Sequence, residues 1–307
     1  QSNFLDPVKS LAINRGVCYL SRIEEVSLNK SKMKNIVFDS LNKSSVVISG
    51  GTGALGLLSA QMLLSRGVGR VILLSRSGQP TVKSLWDSMS SEFNSRIKII
   101  KCDVTNYALL KDTIKCENES MPNGVCGIIH CAGVLDDGLI KEQTIERFKK
   151  VWEPKVNGAL NLERAIREYK IDPSFFILFS SSAALFGNVG QSGYAAANGM
   201  LDSIACRLRA DDVCATSIQW GPWDEIGMAA GMNFAGSGVR GISNDMGMNI
   251  LWNVISAGRS IPCVVCAGDF DINELSEVLK DSKFLELGED LCEICNTSRN
   301  KGTSGNK

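Results

Sequence analysis

From Ser45 onward, short runs of β-branched and apolar residues alternate with longer stretches whose apolar positions recur at helical spacing. The short runs predict strands at Ser45–Ser49, Arg70–Ser75, Ile97–Cys102, Gly127–Cys131, Ser174–Ser180, Cys214–Trp220 and Ile261–Cys266. Between them the spacing predicts helices at Leu55–Arg66, Lys83–Glu92, Tyr107–Lys115, Glu142–Tyr169, Gly193–Ala210 and Asp245–Ser256. Such βαβ alternation predicts an α/β domain, a doubly wound parallel sheet covered by helices on both faces. The unbroken apolar run Phe175-Phe176-Ile177-Leu178-Phe179 fits a strand buried on both sides. A sheet of this kind binds ligands in the crevice at the carboxyl ends of its strands.

Three stretches fall outside the alternation. Residues 1–44, with Lys, Asn and Ser frequent between Asn29 and Ser44, read as a short strand-bearing arm and a linker. Residues 222–244 are rich in glycine and follow the sixth strand, the place of a substrate lid. Residues 286–307 turn polar and read as a disordered linker, which leaves 45–285 as the ligand-binding domain.

Composition narrows the function class without naming it. Hydrophobic residues make up 44% and charged residues 21%, an ordinary globular balance. Lys+Arg and Asp+Glu are both 33, so no global field favours nucleic acid or an anionic membrane. No apolar run is long enough to span a bilayer. The start, Gln1-Ser2-Asn3, has neither an initiating Met nor a signal-peptide pattern, and the expectation is a piece excised from a longer polypeptide. Eleven cysteines, an odd number scattered through strands and helices, predict reduced thiols in a cytoplasmic setting. Cys263-x-x-Cys266 and Cys292-x-x-Cys295 imitate a zinc site. The first pair lies on a strand, where residues three apart face opposite ways, so no metal is expected.

Val46-Val47-Ile48-Ser49-Gly50-Gly51-Thr52-Gly53-Ala54-Leu55-Gly56 joins a strand to a helix through a Gly-x-Gly-x-x-Gly turn, the context in which that pattern binds a dinucleotide. Glycines let the backbone approach a pyrophosphate, and the helix N-terminus supplies free N–H groups. At the end of the second strand stand Ser75 and Arg76, where a carboxylate would favour NAD. A guanidinium there suits the 2′-phosphate of NADP(H). After the third strand, Asp103-Val104 can meet the adenine. After the fourth, Cys131-Ala132-Gly133 permits close approach to the cofactor ribose.

Tyr194, Ser181, Lys155 and Asn198 then form a set suited to protonating a carbonyl oxygen as hydride arrives. Tyr194 is the donor. Lys155 lowers its pKa and bonds the nicotinamide ribose. Ser181, at the end of the fifth strand, can hydrogen-bond the developing oxyanion. Asn198, one helical turn after Tyr194, can position a relay water. Each residue is ordinary alone; their joint placement beside a dinucleotide turn is not.

These residues carry a resemblance. The chain resembles the ketoreductase domain of modular polyketide synthases and animal-type fatty acid synthases, a branch of the Rossmann-type short-chain dehydrogenase/reductase superfamily. The matching segments are Ser49–Gly56, His130–Asp137, Pro154–Ala159, Phe179–Ser181, Gly190–Asn198 and Trp220–Trp223. Most of the superfamily places the Lys after the Tyr and the Asn on the preceding helix. Here Lys155 and Asn198 are exchanged, which resembles the synthase ketoreductases specifically.

The resemblance implies NADPH-dependent reduction of a β-ketoacyl thioester, carried on an acyl carrier protein, to the β-hydroxyacyl thioester. It implies flanking synthase domains as partners, with no nucleic acid and no membrane insertion, and adds Gly221 and Pro222 to the cofactor contacts. Leu135-Asp136-Asp137 resembles the motif of the D-configured (B-type) class, as does Phe186 in place of Trp, whereas Val189 and Gly193 depart from that class. Gln191 and Met228 are further substrate contacts on this reading, and Trp220 and Trp223 shape the cleft. The carboxylates of Asp136 and Asp137 could instead merely cap the next helix. Asn14–Arg22 looks like the closing strands of a structural subdomain, and His130 has no proton-transfer role in the family. Two other functions fit the same residues: a free-standing reductase of another ketone, and a catalytically silent domain.

Overall fold

A computed structural model describes residues 41–231, 238–271 and 274, together with the backbone of two short strands, β1 (Leu11–Asn14) and β2 (Val17–Leu20). The chain divides into two compact units. The larger comprises Leu28–Gly231 and Ile242–Ala267; the smaller comprises Gln1–Ser27, Met232–Gly241 and Gly268–Lys307. In the smaller unit β1 and β2 pair antiparallel, with Leu11 opposite Leu20. There too β9 (Val239–Arg240) pairs antiparallel with β11 (Asp269–Phe270), and Arg240 bridges to Asp269 and Asp271.

The larger unit holds a seven-stranded parallel sheet: β3 (Ser45–Ser49), β4 (Arg70–Ser75), β5 (Ile97–Lys101), β6 (Val125–His130), β7 (Phe175–Ser181), β8 (Ala215–Trp220) and β10 (Val264–Ala267). Its spatial order is β10-β8-β7-β6-β3-β4-β5. The winding direction reverses between β3 and β6, so the crevice at the carboxyl ends of those two strands is the natural ligand site. All seven predicted strands are present. The expected Rossmann-type architecture is the observed one.

Strand alternation explains how the sheet is buried on both faces. Val46 and Ile48 of β3, Val71 and Leu73 of β4, and Phe175, Ile177 and Phe179 of β7 point into one core layer. Their neighbours Val47, Ile72, Leu74, Phe176 and Leu178 point into the other. Each such side chain contributes roughly 1.5–3 kcal/mol by leaving water. Gly127 on β6 lies opposite Phe175, and a Cβ at Gly127 would sit 2.2 Å from that ring. A glycine in mid-strand makes room here for a buried aromatic.

On the first layer lie α1 (Ala54–Ser65), α2 (Lys83–Phe93) and a helix that begins at Asn244. On the second lie α3 (Tyr107–Glu119), α4 (Ile145–Trp152), α5 (Gly158–Glu168) and, after a short turn α6 (Ala183–Phe186), the long α7 (Ser192–Ala210). The helix from Asn244 is α8 (Asn244–Ala257). Side chains cap three of these helices: Asn106 accepts from the Leu109 N–H, Thr144 from Arg147 and Ser243 from Met246.

The predicted continuous helix from Glu142 to Tyr169 is corrected in two places. It starts at Ile145 because Thr144 caps it there, so neither Asp136 nor Asp137 serves as that cap. It is then broken by a widened π-type turn at Glu153–Asn157. Pro154 supplies the cause, since it lacks an N–H and its ring crowds the carbonyl one turn earlier. Lys155 lies in that turn and is 4% exposed.

No helix among the described residues is long and apolar enough to cross a membrane, and no cluster there could hold a metal ion. Cys263 approaches Cys206 on α7, Sγ to Sγ 3.3 Å, so its partner is not Cys266. The Cys292/Cys295 pair, and the expected tail at 286–307, lie outside the described residues.

Candidate active site

At the carboxyl ends of β3, β4, β5 and β6 a cleft of about 630 Å³ opens beside the start of α1. Of the residues assigned to a cofactor, Gly50, Thr52, Gly53, Ala54, Leu55, Ser75, Arg76, Asp103, Val104, Ala132 and Gly133 line it. Gly51 does not; it wedges beneath the turn, where a Cβ would lie 2.8 Å from the Leu73 backbone. Gly50 has a φ of +64°, and a Cβ there would meet the Ala132 nitrogen at 2.7 Å. Gly56 lets α1 press onto the turn, with a Cβ position 2.6 Å from the Gly50 carbonyl. The glycine turn is therefore a cradle with open backbone on its solvent side, the shape a pyrophosphate needs. The residues present fit a dinucleotide.

Further along, Thr52 donates to the Ser75 hydroxyl at 2.7 Å, and the backbone and hydroxyl of Thr81 both bond the Thr52 carbonyl. This ties the loop after β4 to the glycine turn. Thr81, Ser77, Val134, Pro154 and Gly227 also line the cleft, and none was singled out from the sequence as a cofactor residue. Pro154, a proline inside a predicted helix, Val134, in the segment after the fourth strand, and Gly227, in the predicted lid, carried a signal; Thr81 and Ser77 carried none. Arg76 is exposed on the rim, and no ion-pair partner for it is found among the described residues. Asp103 accepts from the Thr105 N–H and hydroxyl through one carboxylate oxygen, which turns the chain at the end of β5. Met228, expected against substrate, borders this cleft.

Beyond Gly133 the four proton-handling residues converge. The Lys155 side chain runs against Gly133, where a Cβ would sit 2.9 Å from Cε. Its ammonium donates to the Phe179 carbonyl at 2.9 Å and lies 5.3 Å from the centre of the Tyr194 ring. Burial pulls the Lys155 pKa from 10.5 down to about 8, opposed in part by the Asp202 carboxylate. Burial also raises the Tyr194 pKa, the Asn198 and Ser181 side chains lower it, and the Asp137 charge raises it. The phenol is thus a protonated donor at neutral pH. Ser181 ends β7, its hydroxyl accepting from the Ala183 N–H. The Asn198 amide donates to the Tyr194 carbonyl at 2.8 Å, while its Oδ1 is buried without a hydrogen-bond partner among the described residues, open to a water or a ligand hydroxyl. A half-buried donor beside a buried cation can deliver a proton to an oxygen placed between Tyr194 and Ser181.

Near Tyr194, Asp137 accepts from Gln191 Nε2 at 2.8 Å, and the adjacent Asp136 is held by Arg147 at 2.8 Å and Lys150 at 3.0 Å. These cations keep the Asp136 carboxyl below its usual range. The Gly138 N–H donates to the Gly190 carbonyl, so the 136–138 segment is laced to the loop ahead of Tyr194. Phe186 ends the short α6, and Leu135 is half-buried. Trp220 and Trp223 pack against each other in the core at 5.2 Å, and they, Gly221 and Pro222 are not among the residues lining the cleft. Tyr194 and Lys155 lie beyond that lining as well.

His130, the sole histidine, is fully buried at the end of β6. Nε2 is 2.7 Å from the Lys155 carbonyl and Nδ1 is 2.6 Å from the Ser49 hydroxyl. A carbonyl only accepts, so Nε2 carries the proton and Nδ1 accepts from Ser49. Burial, with the Lys155 charge adding, lowers the ring pKa to about 4, and the imidazole is neutral.

Comparison with known proteins identifies the family. Residues 44–225 match the family described as "KR domain". The chain is 32% identical over 241 residues to one component of the phenolphthiocerol/phthiocerol polyketide synthase of Mycobacterium tuberculosis, covering 78% of this chain and 13% of that protein. It is 34% identical over 228 residues to polyketide synthase GfsA of Streptomyces halstedii, covering 72% and 3% respectively. The chain therefore spans only a small part of the length of these synthases. Among solved structures, the first ketoreductase of the tylosin PKS superposes with a TM-score of 0.66 at 32% identity, covering 77% of this chain and 51% of that one. An A-type ketoreductase from a modular polyketide synthase gives 0.76 at 25% identity, covering 87% and 56%.

Proposed function

Since the chain belongs to the KR domain family of polyketide synthase ketoreductases, we propose that it uses NADPH to reduce a β-ketoacyl thioester on an acyl carrier protein to the β-hydroxyacyl thioester. The observation that carries this reading is the convergence of Tyr194, Ser181, Lys155 and Asn198 at the end of β7, next to the glycine-lined cleft. The cofactor, held by Gly50–Leu55, Ser75, Arg76, Asp103 and Ala132–Gly133, supplies hydride when bound. Tyr194 gives its phenolic proton to the ketone oxygen. Ser181 steadies the charge that builds there, and the Lys155 ammonium stabilises the phenolate left behind. Asn198 Oδ1 holds the water through which Tyr194 is reprotonated. Residues 45–285 form the catalytic domain, and flanking synthase domains and the carrier protein are its partners in a cytoplasmic synthase.

The test is direct: purified chain, NADPH and a β-ketoacyl thioester surrogate, followed at the nicotinamide absorbance band. Absence of turnover by a folded protein that binds NADPH would favour a silent domain instead. Arg76→Ala is expected to weaken NADPH binding by about 10- to 100-fold, the worth of a charge-assisted bond to a phosphate, and to leave NADH binding nearly unchanged. Equal losses for the two would overturn the 2′-phosphate assignment.

Asp137, bonded to Gln191 beside Tyr194, is the basis for proposing the D-configured alcohol. Chiral chromatography of the product is expected to return the D enantiomer in excess; an L product would discard the stereochemical reading while leaving the reduction intact.

A further inference from the structure

The widened turn that presents Lys155 is gripped from inside the protein. His130 ends β6 and is the register partner of Ser49, which ends β3. These two strands flank the point where the winding of the sheet reverses. The imidazole spans from the Ser49 hydroxyl to the Lys155 carbonyl, fully buried and with both nitrogens occupied. Room for it comes from Gly158, where a Cβ would lie 2.9 Å from His130 Cε1 and 2.7 Å from Val104 Cγ2. The Gly158 N–H closes the same turn by bonding the Glu153 and Lys155 carbonyls.

Were the position a packing site alone, an apolar residue would fill it without the cost of burying a polar ring. Instead a fixed tautomer is imposed: Ser49 donates at Nδ1, which leaves Nε2–H aimed at one carbonyl. That carbonyl belongs to the residue whose ammonium lies over the Tyr194 ring.

We propose that His130 is a positioning residue for reduction, clamping the Lys155 backbone through Nε2–H so that the ammonium stays between Phe179 and Tyr194. This rests on the role of Lys155 proposed above. It assigns His130 no proton transfer, in keeping with the family expectation, and gives it a job at one remove from the chemistry.

Two amide side chains separate the halves of the clamp. In His130→Gln the amide nitrogen falls near the place of Nε2 and can still donate to the Lys155 carbonyl. In His130→Asn the amide reaches only the place of Nδ1, so contact with Ser49 survives and the donor to Lys155 is lost. Assayed with NADPH and the thioester surrogate, H130N is expected to lose about 10- to 100-fold in kcat, the scale of a misplaced catalytic group. Its KM for NADPH should move less than about threefold. H130Q should stay within about fivefold of the parent. The reverse order, or equal kcat values for the two variants, would overturn the proposal and leave His130 as a fastener between β3 and β6.

Lys155→Met provides the control. If K155M still reduces the substrate at the parental rate, the role of Lys155 itself fails. If K155M is inactive while H130N is fully active, only the clamp fails. With both roles in place, H130N in the K155M background lowers activity no further, because the two act as one unit. Should either His130 variant fold poorly, the parent protein answers the question alone. The chain has a single histidine, so a ¹⁵N-histidine NMR spectrum reports one ring, expected as the neutral Nε2–H tautomer. A ring protonated at Nδ1 overturns the clamp.

Discussion

Tyr194→Phe is expected to lower thioester reduction by about 100- to 10,000-fold while NADPH affinity changes little, since a positioned general acid supplies about 10²–10⁴ in rate. The reasoning is local. Phe keeps the ring that packs beneath the Lys155 ammonium and removes only the oxygen. Neither neighbouring candidate can take over: Ser181 is a far weaker acid, and the only histidine is buried, neutral and committed to two other partners. Stopped-flow turnover and NADPH titration of the same preparation check both halves. Persisting turnover would remove Tyr194 from the mechanism. Loss of NADPH binding would make it a cofactor contact above all else.

Lys155→Met is expected to do two opposite things: abolish most of the reduction and stabilise the cofactor-free fold. Lys155 is 4% exposed and titrates near 8 in the folded protein against an ordinary 10.5. Below pH 8 the ammonium is charged in both states, and the full cost of keeping it buried, on the order of 3 kcal/mol, weighs on the folded one. As pH rises from 8 to 10.5 the folded lysine sheds its proton first and the cost fades. Above 10.5 both states are neutral and it is gone. Methionine matches the stem and carries no charge, so chemical denaturation should show K155M more stable at pH 7 and its advantage vanishing towards pH 10.5. An unchanged or reduced stability at pH 7 would mean that the Phe179 carbonyl already compensates the ammonium in full.

How much of this could be seen in the chain before folding follows from where each signal resides. The strands were legible because a sheet buried on both faces demands apolar runs, and Phe175–Phe179 cannot be read as anything solvent-facing. The glycine turn was legible because Gly53 and Gly56 serve contacts within a few residues, to the Gly50 carbonyl. Tyr194 and Asn198 share one helix, and Ser181 ends the strand before it. The break at Glu153–Asn157 was hidden because helical periodicity continues on either side, although Pro154 marked it. The clamp on Lys155 was beyond reach: Ser49 stands 81 residues before His130 and Lys155 stands 25 after it, and no local pattern links them. Thr81 lines the cleft from a loop, where side-chain pattern carries no period to read.

The sheet order has a consequence for biosynthesis. β3 is made first among the seven parallel strands, yet it ends up between β4 and β6. When β3, β4 and β5 have left the ribosome they can pair, but the other edge of β3 must wait for Val125–His130. At translation speeds of about 5–20 residues per second, that edge stays open for roughly 4–15 s, with Val46, Val47 and Ile48 along it. A nascent chain paused before Val125 would present an apolar, unpaired strand to its neighbours on the same polysome.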